Sequence, residues 1–254
     1  MRFSSLALFA CALAAAACGS SPIGPSGPLN FSADGASGAF PPTSRVIIGG
    51  QTCRVYPTAA TIVTTGGAFS STSNQTCSFN GATQVSCTSQ DSDNTGVTST
   101  TTGTADYASV ADIVDEVQVV PPLMRALVIT SNQVGSNGSS TTTITNSYDG
   151  QRRLVQSTAA AAPGSVTTTY TAWDPAGRPT IGTIANPSPI PLSLTIAYDD
   201  VARTSTMTSG VFGIQATSVS TYDENGNLVS IVVTGPGQSS TTTVTNLSTG
   251  TVCK

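Results

Sequence analysis

Residues 220–230 read STYDENGNLVS, and the rest of the chain is organised around that pattern. A Thr-rich run ends in Tyr222-Asp223, a polar turn carries Gly226, and a second run leaves with Leu228-Val229. β-formers flank a point where Asp, Asn and Gly let the backbone reverse, so the stretch reads as two strands joined by a short loop. Variants recur as NSYDGQRRLVQ around Tyr148, TAWDPAGRPTI around Trp173, IAYDDVARTST around Tyr198 and TNLSTGTVCK around Leu247. The anchors at 148, 173, 198, 222 and 247 are spaced by 25, 25, 24 and 25 residues. A constant step of this size marks a repeat architecture, in which each unit needs its neighbours to bury a face.

The front half carries the same unit less regularly. Ser78-Phe79-Asn80-Gly81 aligns without a gap on Ser147-Tyr148-Asp149-Gly150, and Asn-Gly is a strong hairpin signal. Tyr56 and Tyr107 extend the series, giving steps of 23, 28 and 41 residues from 56 to 148. The long step contains Pro121-Pro122, and residues 112–119 within it suit a short helix or an edge strand. Five of the six tyrosines and the only tryptophan fall on anchors; Tyr170 is the exception. Aromatics closing successive strands are expected to stack on their neighbours and supply the large buried side chains. Tyr148, Trp173, Tyr198 and Tyr222 should therefore share one buried face.

The motif Y-D-x-x-G-[RN]-L resembles the YD repeat of bacterial RHS-type proteins and of teneurins. Residues 222–228 match it almost completely, and residues 173–178 match with Trp for Tyr. The units at 148 and 198 are degenerate, and the unit at 247 keeps only the Gly and the strand pattern. The resemblance covers residues 141–254, with a fainter echo back to Tyr56. It implies strips of antiparallel β-hairpins that curl into a shell. The chain lacks the much longer array and the DPxGL core of the large RHS proteins, so no enclosed toxin is implied.

Composition agrees with an all-β fold. Charged residues are 9%, far below the usual quarter, while Ser, Thr and Gly abound. The expected architecture is a meander of antiparallel hairpins curled into a twisted sheet or partly closed barrel. Net charge is −4, with eight arginines and a single lysine, Lys254, so no basic patch for nucleic acid is present. There is no histidine, which removes the commonest general base and the commonest zinc ligand.

The N-terminus reads as an address. Met1-Arg2 precedes an apolar run over residues 6–17, too short for a membrane-spanning helix, so residues 1–17 are read as a signal peptide. The run ends Ala15-Ala16-Ala17-Cys18-Gly19-Ser20, which resembles the lipobox of bacterial lipoproteins. The resemblance implies a lipid on Cys18. Without Asp after that Cys, it also implies the outer membrane or cell surface. Cleavage after an A-x-A site is the rival. Residues 18–44, rich in Pro and Gly, read as a flexible tether. Residues 45–140 form the irregular hairpin region and 141–254 the regular repeats, together one domain.

Four cysteines remain after Cys11 and Cys18: Cys53, Cys77, Cys87 and Cys253. An even number in an exported chain implies two disulfides with three possible pairings. Cys77 and Cys87 flank the Asn80-Gly81 turn, which favours a local bridge and leaves Cys53 to meet Cys253. Asp91, Asp93 and Thr95, with Gly96, resemble the opening of a calcium loop. The twelfth position, however, is Thr102 rather than a bidentate Glu, and a solvated turn is the better reading. Thr runs invite an ice-binding reading, but measured back from the anchors they fall out of register.

For catalysis, no Ser-His-Asp or Cys-His set exists without histidine. Acid pairs such as Asp112 with Asp115 or Glu116, or Asp199 with Asp200, leave a carboxylate-dependent extracellular hydrolase as the alternative. The favoured expectation is a cell-envelope lipoprotein without catalysis or cofactor. It would act as a structural or binding module towards glycans or envelope proteins, with Tyr170, on the face opposite the anchors, as its contact.

Overall fold

The computed structural model describes residues 45–80, 83–114, 125–136, 138–161, 164–185 and 190–254. Residues 1–44, read above as signal peptide and tether and including Cys18, lie outside the described residues. The chain opens with β1 (Arg45–Ile48), β2 (Gln51–Gly66), β3 (Phe69–Asn80), β4 (Gln84–Asp93) and β5 (Thr98–Asp106). A five-residue helix, α1 (Val110–Val114), stands between β5 and β6 (Val128–Gly135). Then follow β7 (Gly138–Tyr148), β8 (Leu154–Ala161), β9 (Gly164–Trp173), β10 (Pro179–Ala185) and β11 (Leu192–Asp199). The last four are β12 (Thr204–Val211), β13 (Ile214–Tyr222), β14 (Leu228–Gly235) and β15 (Gln238–Cys253).

Each strand from β2 to β15 pairs antiparallel with its chain neighbour, and β2 pairs with both β3 and β15. Fourteen strands therefore close into a barrel, fully rather than partly, while β1 extends β2 beyond its contact with β3. Closure leaves none of the fourteen with an unpaired edge along the meander. The seam joins the two longest strands, 16 residues each, and the Cys53–Cys253 disulfide locks it. A second disulfide, Cys77–Cys87, ties β3 to β4 where the two residues stand directly opposite.

The two ends of the barrel differ. At the hairpin end the turns are minimal: two residues join β2 to β3, β12 to β13 and β14 to β15. At the anchor end the loops are longer and carry the Asp-containing motif, and α1 lies there too. Phe79, Tyr148, Trp173, Tyr198 and Tyr222 each stand at or next to the last residue of an odd-numbered strand, and Tyr107 follows β5. Two anchors depart from that rule. Tyr56 and Leu247 lie inside the long seam strands, because the chain there runs on into the seam instead of turning.

Alternation separates the two faces of the wall. Inward side chains of β8–β12 build one apolar cluster: Leu154, Tyr170, Ile184, Leu192, Leu194, Ile196 and Met207. A second cluster near the anchor end gathers Val85, Ala105, Tyr107, Ile113, Val114 and Ile129. Elsewhere many inward positions are hydroxyls and amides, among them Ser73, Gln75, Ser89, Thr101, Ser209 and Thr242, all buried, with Ile62, Ile231, Val233 and Asp91 also buried there. Outward positions are mostly Thr, Ser, Asn and Gln, as in Thr169, Thr183, Ser193 and Thr195 on β9–β11. Outward threonines also face one another across strands, as in the rows Thr76–Thr88–Thr102 and Thr208–Thr217–Thr234. Pairing between strands is set by the turns, so distance from the anchors is the wrong ruler for that register. The rows curve with the wall and form no flat lattice.

Candidate functional site

At the anchor end, the four turns from β7 to β14 are each built by one aspartate, Asp149, Asp174, Asp199 and Asp223. Asp223 Oδ1 accepts the N–H of Asn225 and of Asn227, both at 2.8 Å, and its Oδ2 accepts from Asn227 Nδ2 at 3.0 Å. Asp174 accepts from the Arg178 N–H at 2.8 Å and Nε at 2.6 Å; Asp149 does the same for Arg153 at 2.9 and 2.7 Å. An Asp side chain thus satisfies the loop's amides and pins the fourth residue on. Where that fourth residue is arginine, it reaches forward to the next unit. The guanidinium carbon of Arg153 lies 4.4 Å from the Trp173 ring centroid, and that of Arg178 lies 4.2 Å from that of Tyr198. Arg178 also holds Asp200 of the next loop at 2.6 Å.

The aromatic ring reaches backward in return. Tyr148 Oη donates to the Ala126 carbonyl at 2.6 Å, Trp173 Nε1 to Leu154 at 3.0 Å and Tyr198 Oη to Pro179 at 2.9 Å. Tyr222 Oη and Ser205 Oγ share a hydrogen at 3.1 Å. Tyr222 is buried, while Tyr148, Trp173 and Tyr198 are partly buried against the apolar cluster, so all four point to one face. Burial raises the Tyr198 hydroxyl pKa well above its ordinary value, with the nearby Tyr170 and Tyr222 adding to the effect. From Tyr148 to Tyr222 the anchor end is thus a ladder in which each aromatic holds the preceding segment and two of the turns, through Arg153 and Arg178, hold the next unit.

α1 is fastened beneath this ladder. Asp112, only 1% exposed, pairs with Arg152, accepts from Ser109 Oγ at 2.8 Å and has Arg125 at 3.9 Å. Arg54 Nη1 donates to the Ile113 carbonyl at 2.9 Å. Of the acids suggested for hydrolysis, Asp112 is therefore committed to arginines. Asp199 accepts the Val201 and Ala202 amides, and Asp200 is paired with Arg178. Asp115 and Glu116 lie outside the described residues.

Tyr170 corrects the expectation of an exposed contact. It is 2% exposed on the inward face, and burial raises its hydroxyl pKa. The reason is a pair of register slips where β9 meets β10: Ala172 faces Ile181 and Tyr170 faces Gly182, leaving Thr171 without an opposite residue. A β-bulge of this kind reverses the alternation. Tyr170 and Trp173 therefore both point inward although they are three residues apart.

The calcium-loop resemblance is resolved in part. Asp93 Oδ1 accepts from the Thr95 N–H and hydroxyl and from the Val97 N–H, at 2.7–3.0 Å, and Gly96 has φ +84°. Residues 93–97 thus form the same Asp-x-x-Gly-x turn as residues 174–178 and 223–227, placed at the hairpin end. Thr95 is consumed by the turn. Burial works against the Asp93 carboxylate, but the Thr95 hydroxyl and the Val97, Thr95 and Gly96 amides outweigh it and lower the pKa. Asp91 faces inward on the same side of β4 as Asp93 and is 4% exposed. Its Oδ2 accepts from Thr101 at 3.1 Å, Ser99 at 3.3 Å and Ser89 at 3.4 Å.

No family model matches the chain, and no curated protein does. Among solved structures, a porin-like protein from Bacteroides uniformis is similar at 11% identity and a TM-score of 0.35, over 76% of this chain and 96% of that one. A likeness this slight carries no argument about what the chain does.

Proposed function

We propose that the chain is an exported, lipid-anchored and non-catalytic barrel of the bacterial cell envelope, built from YD-like hairpins and serving as a structural or binding module. The observation that supports this best is how the carboxylates at the anchor end are used. Asp149, Asp174 and Asp223 build turns, Asp112 and Asp200 hold arginines, and Asp199 caps its own loop. These acids maintain a rigid wall instead of converging on a substrate cleft. What the wall offers outward is a broad hydroxyl-rich surface suited to glycans or to the polar faces of envelope proteins. With Tyr170 buried, that outer wall takes over the contact role.

Two measurements test the reading. Mass spectrometry of the N-terminal peptide should find a diacylated Cys18; a free Cys18, or cleavage downstream of it, defeats the anchor. Glycan-array and pull-down assays with the purified full chain should find binding that survives Tyr170→Phe. Turnover of a glycoside or ester substrate, abolished by replacing one carboxylate, would instead establish the hydrolase.

A further inference from the structure

Asp91 and Asp93 stand two residues apart on the inward face of β4, toward the hairpin end. Asp91 Oδ1 and Asp93 Oδ2 are both shielded from solvent, and neither has a hydrogen-bond partner among the described residues. Each carboxylate is otherwise well held, Asp91 through Oδ2 by three hydroxyls and Asp93 through Oδ1 by its turn. No described arginine or lysine is within ion-pairing distance of either. The arginines that form described ion pairs do so at the anchor end. A buried carboxylate oxygen without hydrogen bond or counter-charge is costly, and two on one face are more so.

The surroundings are oxygen-rich. Ser73 on β3 and Ser99 on β5 stand directly opposite Asp91, and Ser71 stands opposite Asp93. Alternate residues on one strand face are about 6.6 Å apart along the chain, a gap that two carboxylates can span to share one ion at about 2.4 Å. Carboxylate and hydroxyl oxygens without nitrogen or sulfur are the donors of a hard cation.

We infer that Asp91 Oδ1 and Asp93 Oδ2 are ligands of a single calcium-type divalent cation inside the barrel wall, with neighbouring hydroxyls and water completing its shell. The cation would tie β4 to β3 and β5 and neutralise the two acids. With only two carboxylates, the site belongs with the weak sites of extracellular modules, with a Kd of about 10⁻⁴–10⁻³ M.

The test uses the purified full chain stripped with a chelator and then titrated with calcium chloride alone. Calorimetry should show one site in that range, and 5 mM calcium should raise Tm by about 2–9 °C. Magnesium at equal ionic strength should do less. Asp91→Asn, close to isosteric, should weaken calcium at least tenfold while the metal-free protein still melts cooperatively. Should that variant fail to fold, terbium luminescence of the unaltered chain decides, since a calcium-displaceable signal is then required. Absence of heat and of any Tm shift at 10 mM calcium overturns the site. So does calcium binding undiminished in Asp91→Asn.

Discussion

Gly177 sits in the left-handed region, at φ +80°, near the end of its turn. A Cβ added there would meet only Arg153 Cγ, at 3.6 Å, so space is not what excludes a side chain. What excludes it is backbone conformation, which costs a non-glycine residue about 1–2 kcal/mol. Arg152 and Arg203 accept that cost in their own turns, at φ +62° and +54°. Arg152 recovers some of it through Asp112, whereas Arg203 has no described ion pair. Arg203→Gly should therefore stabilise the barrel by about 0.5–1 kcal/mol, once glycine's greater freedom in the unfolded chain is subtracted. Gly177→Ala should cost about 1 kcal/mol. Urea midpoints at constant m-value check both, and a loss of stability in Arg203→Gly would show that its side chain does more than close a turn.

At the scale of the hairpin, the anchor aromatic is the part that cannot be spared. Tyr222 is 4% exposed and bonded to Ser205, so Tyr222→Ala should cost about 3–5 kcal/mol. Trp173→Ala should fall at the lower end, since the ring is only partly buried and loses one hydrogen bond and the Arg153 contact. Equilibrium unfolding measures both, and losses below about 0.5 kcal/mol would mean that the rings are displayed rather than structural. These positions were legible in the sequence because Asp and Gly at fixed offsets have one local solution, and the aromatic before them then ends a strand. What was not legible is parity. The slip around Thr171 turns Tyr170 inward, and a bulge depends on two strands at once, which no single stretch reveals. The turn at residues 93–97, the better reading of that stretch, resembles the opening of a calcium loop because a turn-building Asp-x-x-Gly and a cation loop begin with the same residues. The unpartnered oxygens of Asp91 and Asp93 became visible only once β4 had a face.

For the whole molecule, the decisive property is which side of the wall is apolar. A barrel that spans a lipid bilayer needs an outward apolar band about 25 Å tall and fills its interior with polar groups and water. Here Leu194, Ile196, Met207 and Leu154 point inward, and Thr, Ser, Asn and Gln dominate outside. Among the described residues, large exposed apolar side chains such as Val134, Phe212 and Val232 are few and sit on β6, the β12–β13 turn and β14. Ser and Thr were equally plausible on either face, so the sequence showed that strands alternate without showing which face was which. The wall as folded should need water around it, so under the proposed reading any attachment to a membrane comes from a lipid on Cys18. In detergent phase separation the unaltered protein should enter the detergent phase, and Cys18→Ser, if still exported, should move to the aqueous phase with its far-ultraviolet β spectrum unchanged. Retention of the Cys18→Ser protein in the detergent phase would mean that the strands themselves meet lipid, and the tethered-barrel reading would then fail.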